Sequence, residues 1–197
     1  MFRGDFVVPT RDAFIDKNYR EETCMSKIIS LLGWSFLFLF VFSPLALGAD
    51  TCSLVGKGEA TSLLGQPVTH MTSGKPEKDE ETGGGMLTYC SYSAGTLALV
   101  VSVVEFSSPA EARKNTTKEI AASRLELEGD AKITDESGLG DRAYYCWAVS
   151  TKVAAAGYIV QKGTRVLGIM LGGQGLGAPE KDKEALRKAA AGALGRL

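Results

Sequence analysis

The chain has a single histidine, His70, in a polar stretch, and no Gly-x-Ser-x-Gly nucleophile turn anywhere. Triad chemistry therefore has an imidazole but no nucleophile motif to serve, and His70 reads as a loop histidine. Glu77, Asp79, Glu80 and Glu81 could offer oxygen ligands to a hard cation. Their spacing does not match the twelve-residue calcium loop with its glycine at the sixth position, so a solvated acidic loop accounts for them. A zinc site needs three or four Cys, His or carboxylate ligands, and one histidine with few cysteines does not supply them. No Cys-x-x-Cys pair is present for thiol exchange. The run Gly172-Gly173-Gln174-Gly175-Leu176-Gly177 lies between a predicted strand and a predicted helix, where phosphate-cradling loops are found. Its glycines miss the G-x-G-x-x-G order, no Lys-Ser/Thr pair follows, and too little chain remains to build the second half of a βαβ unit. It reads as a connector. No catalytic residue, metal ligand or cofactor is assigned.

Two side chains remain as candidates to face a ligand, Tyr145 and Trp147. They alternate on one face of a predicted strand, with Tyr89 or Tyr92 as further aromatics, and could line a pocket. Rings at alternate strand positions are also how a sheet meets a covering helix, so the core is the competing and stronger reading.

Charge narrows the partners. There are 22 Lys+Arg against 23 Asp+Glu, a net charge of −1, and the signs are interspersed, as in Lys75, Glu77, Lys78 and Asp79. Phosphate neutralisation drives nucleic-acid affinity and calls for a basic excess or stripe, so DNA and RNA are excluded as expected partners. No polybasic segment marks an anionic-lipid anchor.

Residues Ile28 to Ala49 carry no charge, and Lys27 and Asp50 bound them. A dense apolar block, Ile28–Phe42, is followed by Ser43-Pro44, and Ala46-Leu47-Gly48 places small residues where a signal peptidase cutting after Gly48 requires them. Residues 25–49 are thus an export signal or, uncleaved, an anchor about long enough to cross a bilayer; residues 28–49 are then the membrane contact. Residues 1–24 are an extension with mixed charge and no periodicity, and Met25 is a plausible true start. Residues 50–197 are the exported domain, periplasmic or secreted.

In an oxidising compartment Cys52, Cys90 and Cys146 allow one disulfide and one free thiol, whereas Cys24 lies ahead of the signal. A Cys52–Cys90 pair would tie the new N-terminus to a strand, leaving Cys146 as a small buried hydrophobe. The lipoprotein alternative for Cys52 is disfavoured by Asp50 just before it.

The elements that must position these residues follow from pattern. Ser53–Leu64 reads as a helix ended by Gly65 and Pro67, and Gln66–Gly85 as a polar connection with at most a short strand near Val68–Met71. Met86–Tyr92 and Thr96–Phe106 form a hairpin across Ser93-Ala94-Gly95. Pro109 opens a helix to about Glu128, with a thin stripe of Ala112, Thr116, Ile120, Ala121 and Leu125. Short strands are predicted at Ala131–Thr134 and Arg142–Ser150. A hairpin turns at Gly163, and a final helix from Pro179 carries a seam of Leu186, Ala189, Ala190, Ala193, Leu194 and Leu197. The order α-β-β-α-β-β-β-β-α predicts an α+β domain, a mostly antiparallel sheet covered by helices on one side.

Several short motifs carry a resemblance: Cys52 leading a helix into Leu64-Gly65-Gln66-Pro67-Val68, then Tyr89-Cys90-Ser91-Tyr92, Gly138-Leu139-Gly140-Asp141, Lys162-Gly163 and an Ala-rich closing helix. Over residues 50–197 the chain resembles a family of exported bacterial envelope proteins of unknown function, many of them lipoproteins, with a PsbP-like α+β fold. The resemblance implies that fold and a Cys52–Cys90 bridge, and supplies no catalytic residue. The expectation is a non-enzymatic binding or interaction module for an envelope protein, lipid or glycan. A periplasmic carrier of a small molecule or lipid is the alternative, and a hydrolase ranks behind both.

Overall fold

A computed structural model describes residues 50–79, 84–126, 130–150, 153–176 and 179–197. The segments assigned above to the extension and to the export signal or anchor lie outside the described residues, as do Glu80 and Glu81. No helix among the described residues is long and apolar enough to cross a membrane.

The chain begins with two short helices where one is predicted: α1 (Thr51–Leu54), capped by the Asp50 carboxylate accepting from the Cys52 N–H at 3.1 Å, and α2 (Lys57–Leu64). Val55 is extended and Gly56 serves as the second N-cap, and this breaks the run. Gly65 ends α2 at φ 67°, a left-handed position that suits glycine. Strand β1 (His70–Asp79) then occupies what reads from the sequence as a polar connection. It is an edge strand, exposed along most of its length, with a register shift between Gly74 and Glu77 that accommodates Pro76. Charges, a proline and a bulge are the ordinary protection of a sheet edge, and they disguise a strand as a loop.

The remaining elements are β2 (Gly85–Ala94), β3 (Leu97–Glu105), α3 (Pro109–Glu126), β4 (Asp130–Glu136), β5 (Arg142–Val149), β6 (Ala154–Lys162), β7 (Arg165–Gly173) and α4 (Pro179–Arg196). All seven strands form one antiparallel sheet in the order β1-β2-β3-β7-β6-β5-β4. Two meanders, β1–β3 and β4–β7, are thus joined by α3 and by the β3–β7 ladder. The glycine run is partly strand: Gly172 and Gly173 close β7, pairing with Ala98 and Leu97. Gly173 sits at φ 143°, where a Cβ would meet the Thr96 carbonyl oxygen at 2.1 Å.

The fold is α+β with an antiparallel sheet, as expected. The helices cover both faces rather than the one side expected, because the sheet carries buried apolar residues on both faces. Under α1, α2 and α4 lies the main core, with Cys90, Tyr92, Leu99, Val101, Ile169 and Leu171 from the sheet meeting Leu186, Ala190 and Ala193. On the opposite face α3 covers a smaller cluster, in which Ala112 packs with Val104, Phe106, Tyr144, Cys146 and Ile159. Strand alternation sends neighbouring residues to opposite faces. Cys146 is therefore buried and outside the disulfide, as expected, but on the face away from its neighbours Tyr145 and Trp147.

Cys52 and Cys90 are disulfide-bonded across 38 residues, with Cα atoms 5.0 Å apart. Around the bridge, Thr51 Oγ1 donates to Thr88 Oγ1 at 2.8 Å, and the Tyr92 hydroxyl donates to the carbonyls of Cys52 (2.9 Å) and Val55. Arg196, in the last turn of α4, donates through Nε to the Leu54 carbonyl at 2.9 Å and pairs with Glu59 at 3.1 Å. Opening such a loop removes a constraint worth about 4 kcal/mol in the chain-entropy model. The double variant Cys52→Ala/Cys90→Ala is expected to lose about 3–4 kcal/mol of unfolding free energy in urea. Cys146→Ala is expected to lose less than the double variant, and equal losses would contradict this structure.

Candidate functional site

The two aromatics singled out by the sequence lie on the main-core face of β5, beside α4. Tyr145 is 2% exposed and its ring is 5.1 Å from that of Tyr158, tilted by 47°. Trp147 is half-buried against the same cluster. Tyr92 is fully buried under α1, and Tyr89 is on the opposite face with its ring over the Cα of Gly74. The structure therefore groups Tyr145 with Trp147 and brings in Tyr158; Tyr89 and Tyr92 lie elsewhere. His70 opens β1 at the exposed edge, far along the sheet order from this group.

Three charged residues that sequence reasoning did not single out complete the corner. Glu136, the last residue of β4, receives Lys183 Nζ at 2.6 Å and Arg187 Nη1 at 2.8 Å, and its side chain is 12% exposed. Arg187 also donates to the Ser137 carbonyl at 2.6 Å. Lys183 Nζ stands 5.2 Å from the centre of the Tyr145 ring, a cation–π distance. Lys183 and Arg187 are one helical turn apart, so α4 presents both to one carboxylate. Their spacing on a predicted helix is the signal available from sequence; their partner is some fifty residues away and is not.

The corner carries one carboxylate against two cations beside a buried phenol. Burial raises the Tyr158 pKa above the ordinary phenol value; the nearby Arg187 pulls the other way. No donor or acceptor meets the Tyr158 hydroxyl with hydrogen-bonding geometry among the described residues. The hydrogen bond to Glu136 raises the pKa of Lys183. A neutral phenol and a positive excess suit an acceptor group of a ligand. Neither shift brings a proton into the neutral range, as acid–base catalysis would require. No cluster of three or more His, Cys, Asp or Glu able to hold a metal occurs among the described residues.

No protein-family model matches the chain, and no curated protein matches it. The fold is similar to the crystal structure of the extracellular domain of PknH from Mycobacterium tuberculosis, with a TM-score of 0.50 and 11% sequence identity over 75% of this chain and 95% of that one. The likeness is one of fold. The resemblance to an envelope family rests on its short motifs alone.

Burial raises Tyr92 as it does Tyr158, with Asp50 and Glu59 adding to the effect. These two hydroxyls and the Lys183 ammonium hold their protons more tightly folded than unfolded. The stability they contribute is complete below the unfolded values near pH 10 and is lost as pH climbs through the folded ones. The urea midpoint is expected to fall between pH 8 and pH 11, and less steeply in Glu136→Gln, which removes the contact that raises Lys183. An equal fall in both proteins would contradict the assignment.

Proposed function

We propose that residues 50–197 are a non-enzymatic binding module of a bacterial envelope, exported by the apolar segment ahead of them, whose partner is an envelope protein, lipid or glycan. The observation that carries this reading is the fold, which covers nearly the whole of an extracellular bacterial domain. The disulfide at the head of the domain supports it, because such bonds persist in oxidising compartments and are rare in the cytosol. The envelope family with a PsbP-like fold, suggested by the motifs, is the finer form of the same proposal.

A positively biased corner of Glu136, Lys183 and Arg187 over Tyr145 and Tyr158 supports binding over turnover, since its groups are arranged to hold an acceptor. Fusing residues 1–49 to alkaline phosphatase, which is active only after export, is expected to give active reporter in a bacterial host. Deleting residues 28–42 from the fusion is expected to abolish that activity. Activity that survives the deletion, or an intact fusion that stays inactive, would remove the proposal.

A further inference from the structure

Away from the corner just described, α3 and the start of β5 enclose an open groove of about 580 Å³ lined by Pro109, Ala110, Arg113, Lys114, Thr117 and Arg142. Three of the six side chains are cationic and none is acidic, in a chain whose net charge is −1. Two nearby carboxylates are hydrogen-bonded to other groups: the Glu111 carboxylate accepts from Ser107 Oγ, and Asp141 accepts from the Gly163 N–H at 2.7 Å. Arg142 is held in place on two sides. Its Nη1 donates to Thr117 Oγ1 at 3.1 Å, and its guanidinium carbon lies 5.4 Å from the centre of the Tyr144 ring. Such an arginine is oriented before any ligand arrives, which lowers the ordering cost of binding. No ion pair joins Arg113 or Lys114 to a carboxylate among the described residues.

A buried residue next to this region has an unmet polar group. Gln161 is 1% exposed and is the cross-strand partner of Arg142; it donates through Nε2 to the carbonyls of Pro109 (3.2 Å) and Gly163 (3.3 Å). Its Oε1 has no donor among the described residues. A buried acceptor without a donor is costly, although Gln161 is not itself among the residues lining the groove.

We infer that this groove is a binding site for a phosphate group, with Arg113, Lys114 and Arg142 holding the anion. The inference rests on the proposed binding role and names the ligand chemistry. Guanidinium and ammonium groups recognise phosphate through charge-assisted hydrogen bonds, and three cations with no ion pair among the described residues around one groove match a compact di-anion or phosphodiester. Free phosphate and a lipid headgroup share this chemistry.

The test is calorimetric titration of the full chain in neutral detergent with two water-soluble probes: inorganic phosphate, and glycerophosphoglycerol, the deacylated headgroup of an anionic lipid. Saturable binding that weakens about tenfold in Arg113→Ala/Arg142→Ala is expected. A smaller loss is expected in Lys114→Ala, an exposed position that leaves the fold undisturbed. Lys188→Ala, on the exposed side of α4, is the charge control and should bind as the unaltered chain does. Tighter binding of glycerophosphoglycerol than of phosphate assigns the source to a lipid or polyol headgroup; the reverse order assigns it to free phosphate. Absence of saturable binding by either probe, or equal weakening by Lys188→Ala, overturns the inference. Either failure leaves the export reporter active, and so is distinguishable from failure of the binding-module proposal itself.

Discussion

Cys90 has no exposed surface, and its sulfur is bonded to Cys52 in the first helical turn of the domain. The head of the main-core face is arranged around that attachment. The two hydrogen bonds from Tyr92 reach the same short segment, which sends one back from Thr51 to Thr88, and Arg196 approaches it from the last turn of α4. A four-residue helix such as α1 has no stability of its own, because nucleating a helix costs more than one turn returns. Its place over β2 and β3 therefore depends on the covalent tie and on the polar contacts that the tie brings into register. Loss of the bridge would leave the head of the chain on the sheet with only α2 and a few buried groups, Leu54 and Val55 among them, to hold it.

The second constraint is the β3–β7 ladder. It pairs Leu99 with Leu171, Val101 with Ile169 and Val103 with Leu167, nearly all of them fully buried, and among the described residues it is the only ladder between the two meanders. Because β7 arrives last, α3 must carry the chain from β3 to the far edge and the second meander must fold back. Each strand beside the seam has one face in the main core and the other partly under α3. This division sets the chemistry of the two faces. Tyr145, Tyr158 and the Glu136 corner lie on the α4 face, whereas the Arg142 groove lies against α3.

Local chemistry made much of this legible in the sequence. Gly65 and Gly163 mark turns by their need for positive φ, Pro109 and Pro179 mark helix starts, and the Leu186 to Leu194 seam marks the buried side of α4. The parity of Ala143, Tyr145 and Trp147 put them together on one face. Edge strand β1 was hidden by the polar and charged residues that protect it, and α1 and α2 read as one helix because the break at Val55-Gly56 is conformational. Strand order and the assignment of α3 to the second face depend on contacts distant in sequence, and no periodicity reports them. The same holds for the site: Lys183 and Arg187 are neighbours by helical spacing, but Glu136 joins them only through tertiary structure.

On the proposed reading, a domain with one sulfur tie, a continuous antiparallel sheet and positively biased polar clusters on two faces stays folded outside the cell's reducing interior and holds a ligand there. The most direct test is the redox state of the native protein: trapping thiols by alkylation in intact cells, then mapping the cysteine peptides by mass spectrometry. The account requires a linked Cys52–Cys90 peptide with Cys146 alkylated only after unfolding. Recovery of Cys52 and Cys90 as free alkylated thiols would contradict it.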